Sequence, residues 1–233
     1  MTALSPEAFV ERLRQEGAQR YHDHHPFHQA MHAGRLTRKQ LQEWVRNRYY
    51  YQSRIPIKDA LIVAKSEDPA FRRMWLRRIR DQDGEQGGEG GLEKWLRLAE
   101  GAGLPRAAVA RFDGVLPAVR FACDAYVDLV RSRSLLEAVA SSLTEFFAPD
   151  LMSRRIDAWE QHYPWIDGAS LAYFRSRVTR AKLDADDAIG FVTAMATTRE
   201  TQDQAIAALI RKTEVLWALL DALQLAYPLD AIP

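Results

Sequence analysis

The stretch "RNRYYYQSRIPIKD", residues 46–59, places three adjacent tyrosines among charged side chains. Successive residues of an α-helix point about 100° apart, so the three phenol rings cannot share one face and at least one must turn inward. Arg48 lies one turn before Tyr51 and has apolar neighbours, so it belongs to the same inward stripe. This pairing of a phenol with a guanidinium raises the question of what they bind.

Other cations also fall on apolar stripes. Lys212 lies on the inward stripe of the last predicted helix, Tyr173 and Arg177 are four residues apart on one helix face, and Arg155 follows the break at Pro149. A buried cation without a partner costs several kcal/mol. Each of these cations therefore requires a carboxylate, either from the protein or from a ligand.

Two explanations remain open for these cations. One is structural: they form internal salt bridges to Glu145, Asp59 or Asp124, or their charged ends reach water. The other is that several cations and tyrosines converge on a pocket for a small polyanion. The convergent set consists of Arg48, Lys58, Arg155, Arg177 and Lys212.

Five of the six histidines fall within "YHDHHPFHQAMH". His24, His28 and His32 have i, i+4, i+8 spacing, which would align them on a helix and could create a metal site. Pro26 is expected to start that helix only after His24, the chain has no Glu-x-x-His pair, and it has one cysteine. Helix-entry and surface positions are therefore favoured for His24, His25, His28 and His32, and no metal ligand is predicted.

The segment "GEQGGEGG", residues 84–91, is the glycine cluster of the chain. It lacks a Gly-Lys-Ser/Thr ending and follows no strand, so it is not a phosphate-binding loop. A mobile connector is the simpler interpretation, and a lid over a pocket is the functional one. Cys123 is interpreted as a small core residue.

Helical periodicity dominates the chain, and no alternating strand pattern is present. Ser5 and Pro6 predict a helix start that Gly17 ends, Thr37 with Gln40 predicts a capping box, and Pro56 is expected to kink or break the long helix that follows. Further helices are predicted near "PFHQAMHAG", from Asp68 to Arg80, and at 92–100, 105–112, 116–133, 134–147, 150–161, 169–182, 184–197 and 200–227. The prediction is one all-α domain spanning residues 1–233.

The composition excludes several classes of protein. The chain has 233 residues, of which 47% are hydrophobic, and its net charge is +1. It therefore lacks the excess of basic residues that would indicate nucleic-acid binding. The N-terminus lacks a signal-peptide pattern, and no apolar run is long enough to span a membrane. A single cysteine is compatible with a reducing compartment, so a cytoplasmic location is expected.

Eight segments resemble one known family, that of pyrroloquinoline-quinone synthase. They are "YHDHHPFH", "RNRYYYQSRIPIKDA", "GGLEKWLRLAE", "LPAVRFACDAY", "SSLTEFFAP", "QHYPWI", "YFRSR" and "KTEVLWALLDA". They extend from residue 21 to residue 222, and their order and spacing also fit the family.

The resemblance implies an all-helical fold of the haem-oxygenase-like type without haem, and a homodimer. It implies ring closure and oxidation of a tricarboxylic precursor by O2, which yields pyrroloquinoline quinone (PQQ) and H2O2. No metal or organic cofactor is implied, so the partners would be the small-molecule substrate and product, with no nucleic acid and no membrane.

The resemblance also assigns roles to individual residues. The catalytic residues it implies are His22, Gln82, Tyr173 and Arg177. The substrate-binding residues it implies are Tyr21, Arg48, Tyr51, Gln52, Lys58, Arg78, Tyr126, Glu145, Arg155 and Lys212.

Two positions depart from the family pattern. Gln82, in "DQDG", stands where the family has a histidine, and Met152 stands where some members carry a pocket histidine. Glutamine forms hydrogen bonds but does not titrate. Alternatives to a cofactor-free oxidase are therefore a metal-dependent oxygenase on the same scaffold, a non-catalytic PQQ carrier and, more weakly, a thiaminase-like hydrolase.

Overall fold

The computed structural model describes residues 2–85 and 88–229. Within them, regular structure is helical apart from one isolated β-bridge between Glu85 and Gly88, which confirms the all-α prediction. The α-helices are α1 Pro6–Arg20, α2 Pro26–His32, α3 Arg38–Ala64, α4 Pro69–Asp83, α5 Gly91–Gly101, α6 Arg106–Ala110, α7 Pro117–Ser132, α8 Leu135–Ala140, α9 Ala148–His162, α10 Ala172–Met195 and α11 Arg199–Ala226. Short 3-10 segments occupy His22–His24, Ser141–Phe147 and Gly168–Leu171.

Local sequence signals set the predicted helix starts. The Ser5 side chain accepts a hydrogen bond from the Ala8 amide, and the Thr37–Gln40 capping box closes in both directions at the start of α3. Asp68 accepts hydrogen bonds from two amides at the start of α4. These caps satisfy backbone donors that have no partner inside the helix, which is why they could be read from the sequence.

The predicted helix stop at Gly17 is wrong, and of the kink or break predicted at Pro56 the break does not occur. Gly17 does not end α1, which continues to Arg20; a Cβ at position 17 would lie 2.6 Å from Cε2 of Phe147, so the glycine permits close packing instead. Pro56 does not divide α3, which continues to Ala64 with buried residues on both sides of the proline. Tertiary packing outweighs the backbone hydrogen bond that proline removes.

The C-terminal half differs from the prediction in two places. The predicted helices 169–182 and 184–197 form one helix, α10, because Asp184 at the expected boundary accepts a hydrogen bond from Arg177 and caps nothing. The predicted helix 134–147 is shorter, since its second half is the 3-10 segment Ser141–Phe147. This segment brings Glu145 towards the centre of the molecule.

Aromatic side chains form the core around which the helices pack. The Trp44 ring centroid lies 5.6 Å from that of Trp95, 5.8 Å from that of Trp159 and 6.4 Å from that of Phe174. Helix α3 packs against α4, α5 and α7, while α11 packs against α1, α7 and α8. The inward faces of α3, α10 and α11 therefore meet close to this core.

Two further sequence predictions concern a lid and the absence of a membrane span. The prediction of a lid at 84–91 includes Gln86 and Gly87, which lie outside the described residues, so it stays a prediction. Among the helices of the described ranges, none combines the length and the hydropathy that crossing a bilayer requires.

Candidate active site

A cavity of about 50 Å³ lies where α3, α4, α9, α10 and α11 meet. Nine of the residues predicted for the site line it: Tyr21, His22, Arg48, Tyr51, Gln52, Gln82, Glu145, Tyr173 and Arg177. The remaining lining residues are Ile55, Thr144, Ala148, Met152 and Leu216. Ile55 and Leu216 lie on the same apolar stripes as predicted site residues, which is a signal that sequence reasoning could have used; Thr144 and Ala148 carried no such signal.

The other five predicted site residues lie behind the cavity wall. Lys58, Arg78, Tyr126, Arg155 and Lys212 are buried but do not line the cavity. They are close enough to act on its contents through neighbours. Lys212, for example, donates a hydrogen bond to the phenol oxygen of the lining residue Tyr51 at 2.8 Å.

Three of the buried cations have carboxylate partners within the protein. Lys58 Nζ lies 2.6 Å from Asp59 Oδ1. Arg177 donates to Glu145 at 2.7 Å and to Asp184 at 3.0 Å, and Arg78 Nε lies 3.6 Å from the same Asp184. In the absence of a ligand these three cations therefore form internal salt bridges of the kind that the structural explanation describes.

The expected partner Asp124 does not pair with the buried cations. Its carboxylate accepts a hydrogen bond from the Tyr50 phenol at 2.9 Å and lies 3.9 Å from Arg54 near the surface. Asp184, which the sequence reasoning did not single out, instead joins Arg78 and Arg177. Burial raises the pKa of Asp184, but the two guanidinium groups outweigh it and lower that pKa below its usual value.

Arg48, Arg155 and Lys212 differ from the other cations. Within residues 2–85 and 88–229 none of them has a carboxylate at salt-bridge distance. Arg48 Nη1 and Arg155 Nε have no hydrogen-bond partner, and the Arg48 guanidinium lies 4.0 Å from the Tyr51 ring centroid. Burial and nearby Arg48 lower the pKa of Arg155 to about 9. Arg48 and Arg155 give the cavity wall a positive potential that no carboxylate of the described residues meets at salt-bridge distance, and Lys212 is a buried amine without such a partner.

The histidines follow the prediction only in part. His24 is on the surface and His25 is at the helix entry, as expected, although His25 is buried. His28 is buried inside α2, so the prediction is wrong for His28. His25 caps α2 by accepting from the Phe27 amide, and its ring meets Asp221. Because Pro26 starts α2 after His24, the residue that continues the row of His28 and His32 is His22.

His22 is the cavity-facing member of this row. Its ring centroid lies 4.9 Å from that of His28, and both of its ring nitrogens lack a hydrogen-bond partner. Burial, followed by the nearby charges of Arg48 and Arg155, lowers the pKa of His22 well below its usual value. His22 is therefore a neutral imidazole that can accept or share a proton.

No group of three His, Cys, Asp or Glu side chains in the described ranges has an arrangement suited to binding a metal ion. The buried Cys123 has no activated thiol, because burial raises its pKa to about 12.

Two glutamines and a tyrosine complete the polar lining. The Tyr173 phenol donates to Gln52 Oε1 at 2.8 Å, while Gln82 Oε1 has no partner. A Cβ at Gly91 would lie 2.5 Å from Gln82 Oε1, so this glycine leaves the space that the amide occupies. Burial raises the pKa of Tyr173, so the phenol remains a hydrogen-bond donor.

A larger depression of about 480 Å³ lies on the surface between α4 and α10. Its arginines are already neutralised: Arg77 pairs with Asp187, Arg80 with Glu85 and Arg180 with Asp81. The smaller internal cavity is the better candidate site, because there, among the described residues, buried arginines without a carboxylate partner lie beside the neutral titratable side chains of His22 and Tyr173.

Comparison with known proteins agrees with this geometry. The model of the TENA/THI-4/PQQC family matches residues 10–222. The chain belongs to this family. It is 50% identical over 231 residues to pyrroloquinoline-quinone synthase of Ectopseudomonas mendocina, covering 99% of this chain and 92% of that protein. It is 53% identical over 228 residues to the enzyme of the same name from Acidiphilium cryptum, covering 97% and 93%.

Solved structures confirm the fold of this TENA/THI-4/PQQC member. A domain of unknown function with a heme oxygenase-like fold from Shewanella denitrificans superposes with a TM-score of 0.77 and 13% identity, covering 97% of this chain and 94% of that one. A TenA homolog from Pseudomonas syringae gives a TM-score of 0.73 and 13% identity, covering 96% and 98%. At such identities the likeness establishes the architecture and says nothing of the reaction.

Proposed function

We propose that this chain is a pyrroloquinoline-quinone synthase, which closes the last ring of a tricarboxylic precursor and oxidises it with O2 to PQQ and H2O2. The observation that carries the proposal is a set of three buried basic side chains, Arg48, Arg155 and Lys212, that have no carboxylate partner among the described residues. A tricarboxylic ligand supplies the negative charge that they lack.

The lining residues divide into binding and proton-transfer groups. Arg48 and Arg177 bind substrate carboxylates directly, with Tyr21, Tyr51 and Gln52 as neutral hydrogen-bond donors or acceptors. Arg155, Lys212, Lys58, Arg78 and Tyr126 act from behind the wall by their charge or by holding a lining residue. Glu145 holds Arg177 and is displaced from it when a ligand carboxylate binds.

Proton transfer is assigned to His22 and Tyr173, with Gln82 as a neutral hydrogen-bond partner. Neutral His22 accepts a proton from the substrate, and the positive potential of Arg48 and Arg155 stabilises the anion that forms. The electrons pass from this electron-rich ring to O2. Tyr173 remains a phenol and donates to the reduced oxygen species.

The cavity must enlarge when the substrate binds. Its volume of about 50 Å³ holds a few water molecules at most, whereas pockets for drug-sized ligands measure about 300–1,000 Å³. Glu145 is the lining side chain best placed to move, because it comes from a 3-10 segment and keeps 27% of its side chain exposed.

The direct test is incubation of the purified chain with the precursor and O2 while quinone absorbance and peroxide are followed. Formation of both supports the synthase. Tight PQQ binding without turnover would favour a carrier. Gln82 gives this alternative its reason, because glutamine can bind the ligand but does not titrate. Absence of both binding and turnover contradicts the proposal.

Three further properties belong to the proposal. The reaction needs no metal or organic cofactor, which metal analysis and chelation of active protein test; loss of activity on chelation, with about one equivalent of metal bound, would favour an oxygenase. The chain forms a homodimer, which light scattering on a sizing column tests. It works in the cytoplasm, which cell fractionation tests.

A further inference from the structure

Lys212 is connected to the cavity through a hydrogen bond to the lining residue Tyr51. Its side chain is 1% exposed and does not line the cavity, whereas Tyr51 does. Lys212 Nζ lies 2.8 Å from the Tyr51 phenol oxygen. A group in the cavity that contacts this phenol is therefore one hydrogen bond away from a buried amine.

The surroundings of Lys212 favour an uncharged amine. Lys58 is similarly buried but has Asp59 at 2.6 Å. Lys212 has no carboxylate at salt-bridge distance among the described residues; beside the Tyr51 phenol oxygen it meets the faces of Tyr126 and Tyr51, with ring centroids 3.4 and 4.2 Å from Nζ. The titratable and charged groups that act on it are Arg48, Tyr51 and Lys58 from α3, Cys123 and Tyr126 from α7, Glu145 from the 3-10 segment Ser141–Phe147, and His22 from the 3-10 segment His22–His24.

These groups do not balance each other. Burial, then Arg48 and Lys58, lower the pKa of Lys212 well below its usual value, and the opposing effects of Cys123 and Glu145 are smaller. Ring faces stabilise a cation by only about 0.5–2 kcal/mol, less than burial of an unpaired ion costs. Lys212 is thus a base held beneath the cavity wall.

Tyr51 is suited to passing a proton and not to storing one. Burial raises the pKa of Tyr51 well above its usual value, so its phenolate does not accumulate. When Lys212 is neutral, the hydrogen bond between them can also run from the phenol to the amine lone pair. A proton arriving at the Tyr51 oxygen can therefore move on to Lys212.

We propose that Tyr51 and Lys212 form a proton relay, in which Lys212 accepts, through Tyr51, a proton that the bound substrate loses. This inference rests on the proposed function. A substrate X–H bond breaks, its proton goes to the Tyr51 oxygen, and the Tyr51 proton goes to Lys212 Nζ. The electron pair stays on the substrate, Tyr51 is again a phenol, and Lys212 is an ammonium ion.

The same relay returns the proton after oxidation. Two electrons pass from the substrate anion to O2, whose conversion to H2O2 also requires two protons. Lys212 supplies one of them through Tyr51 and becomes neutral again, and the other comes from solvent or the substrate. An anionic ligand also offsets Arg48, which brings the pKa of Lys212 back towards the working pH, where a general base is most effective.

The test replaces Lys212 by a residue that carries the charge of the protonated lysine and cannot give up that proton. In Lys212→Arg the guanidinium stays protonated, so PQQ affinity should remain within about threefold while the single-turnover rate falls about 100-fold or more. Tyr51→Phe should cause the same fall, and Tyr51→Phe/Lys212→Arg no further fall. Tyr163→Phe is the matched control, since this buried phenol donates to the Met31 carbonyl away from the cavity.

The pH profile separates a relay from a merely structural role. In the unaltered chain the rate should rise with pH as Lys212 loses its proton, and this rise should be missing from Lys212→Arg. A Lys212→Arg rate within threefold of the rate of the unaltered chain would overturn the relay. The relay would also be overturned if the rate losses of Tyr51→Phe and Lys212→Arg multiplied in the double variant. If Lys212→Arg does not fold, Lys212→Met must show the same loss of rate and of the pH-dependent rise.

A second measurement does not depend on turnover. PQQ binding is titrated calorimetrically in two buffers that differ in ionisation enthalpy, which counts the protons taken up. The unaltered chain should take up more protons than Lys212→Arg, because the anionic ligand recharges Lys212. Equal proton uptake overturns the relay even if the unaltered chain forms no quinone, an outcome that would contradict the proposed function alone.

Discussion

Some residues of the cavity reduce the stability of the ligand-free protein and favour ligand binding, whereas others stabilise it. Arg48 is buried, has an unpaired nitrogen and lies at the cavity, whereas Arg177 is neutralised by Glu145 and Asp184. Burial works against the charge of Arg177, but the two carboxylates outweigh it and raise its pKa. The two arginines should therefore respond in opposite ways when they are removed from the ligand-free protein.

We expect Arg48→Met to stabilise the ligand-free chain by about 1 kcal/mol or more, because it removes an uncompensated buried charge. Arg177→Met should destabilise it by about 3 kcal/mol, because two carboxylates lose their partner. Both changes should weaken PQQ binding by about 1.5–3 kcal/mol. Denaturant unfolding and titration calorimetry measure the two quantities.

Arg54→Met is the control for these changes. Arg54 lies on the same helix as Arg48 but meets Ser53 and Tyr50 outside the cavity. Its removal should leave PQQ affinity within about threefold. If Arg48→Met destabilises the ligand-free chain as much as Arg177→Met does, the Arg48 guanidinium is paired with a protein group in solution. The argument that its charge awaits a ligand carboxylate would then be wrong.

Gln82 is one of the two positions, with Met152, at which the resemblance predicts a departure from the family pattern. It is buried at the cavity with its amide oxygen unpaired, so it can bind but cannot move a proton. Gln82→His should leave product affinity within about threefold and raise the single-turnover rate, since a positioned acid–base group contributes about 10²–10⁴-fold. The gain should appear above the imidazole pKa, near 6.5 when unperturbed. A variant no faster at any pH would show that His22 or Tyr173 already moves the proton.

At the scale of the helices, the same substitution, glycine to alanine, should change the stability of the chain in opposite directions at two positions. In Gly17→Ala the new Cβ would lie 2.6 Å from the Phe147 ring, whereas at Gly190, inside α10, no atom lies within 4 Å. Alanine exceeds glycine in helix propensity by about 1 kcal/mol, so Gly190→Ala should stabilise the chain by about 0.5–1 kcal/mol. Gly17→Ala should destabilise it, because the clash with Phe147 costs more than the propensity gains.

Thermal unfolding of both variants tests this pair. Phe147 ends the segment that carries Glu145, so Gly17→Ala should also weaken PQQ binding, while Gly190→Ala should not. A Gly17→Ala variant that is as stable as Gly190→Ala would mean that the ring gives way at little cost, and that Gly17 has no packing role.

The boundary between what could and could not be predicted follows the range of the interactions. Capping by Ser5, Thr37 and Asp68 is local, so those helix starts were predictable. Helix α1 continues through Gly17, and α3 through Pro56, because of partners far away in sequence. Distant partners also decide that Lys58 meets a carboxylate and that Lys212, among the described residues, does not. Residue type and periodicity placed these cations on inward faces, but only the fold decides which carboxylate each one meets.

At the scale of the whole molecule, the row of His22, His28 and His32 should make folding sensitive to acid. Burial lowers the pKa of His22 and of His28 well below the usual value, and that of His32 to about 3. Below pH 6.5 the unfolded chain therefore binds protons that the folded chain refuses, and the free energy of unfolding falls as the pH falls. Above 6.5 both states hold neutral imidazoles, and the stabilisation is complete.

His28→Gln tests this linkage, because it removes one fully buried member of the row. Each such histidine adds at most about 1.4 kcal/mol per pH unit to the slope below 6.5, and partly exposed His32 adds less. Whatever its stability at pH 7, His28→Gln should lose less stability between pH 6.5 and 5 than the unaltered chain, by about 1–2 kcal/mol over that interval. His24→Gln, at an exposed position, should keep the original slope. Denaturant unfolding at several pH values gives these slopes. Parallel curves for His28→Gln and the unaltered chain would show that His28 is protonated in the folded state. That outcome would also remove the reason for treating His22 as a neutral base.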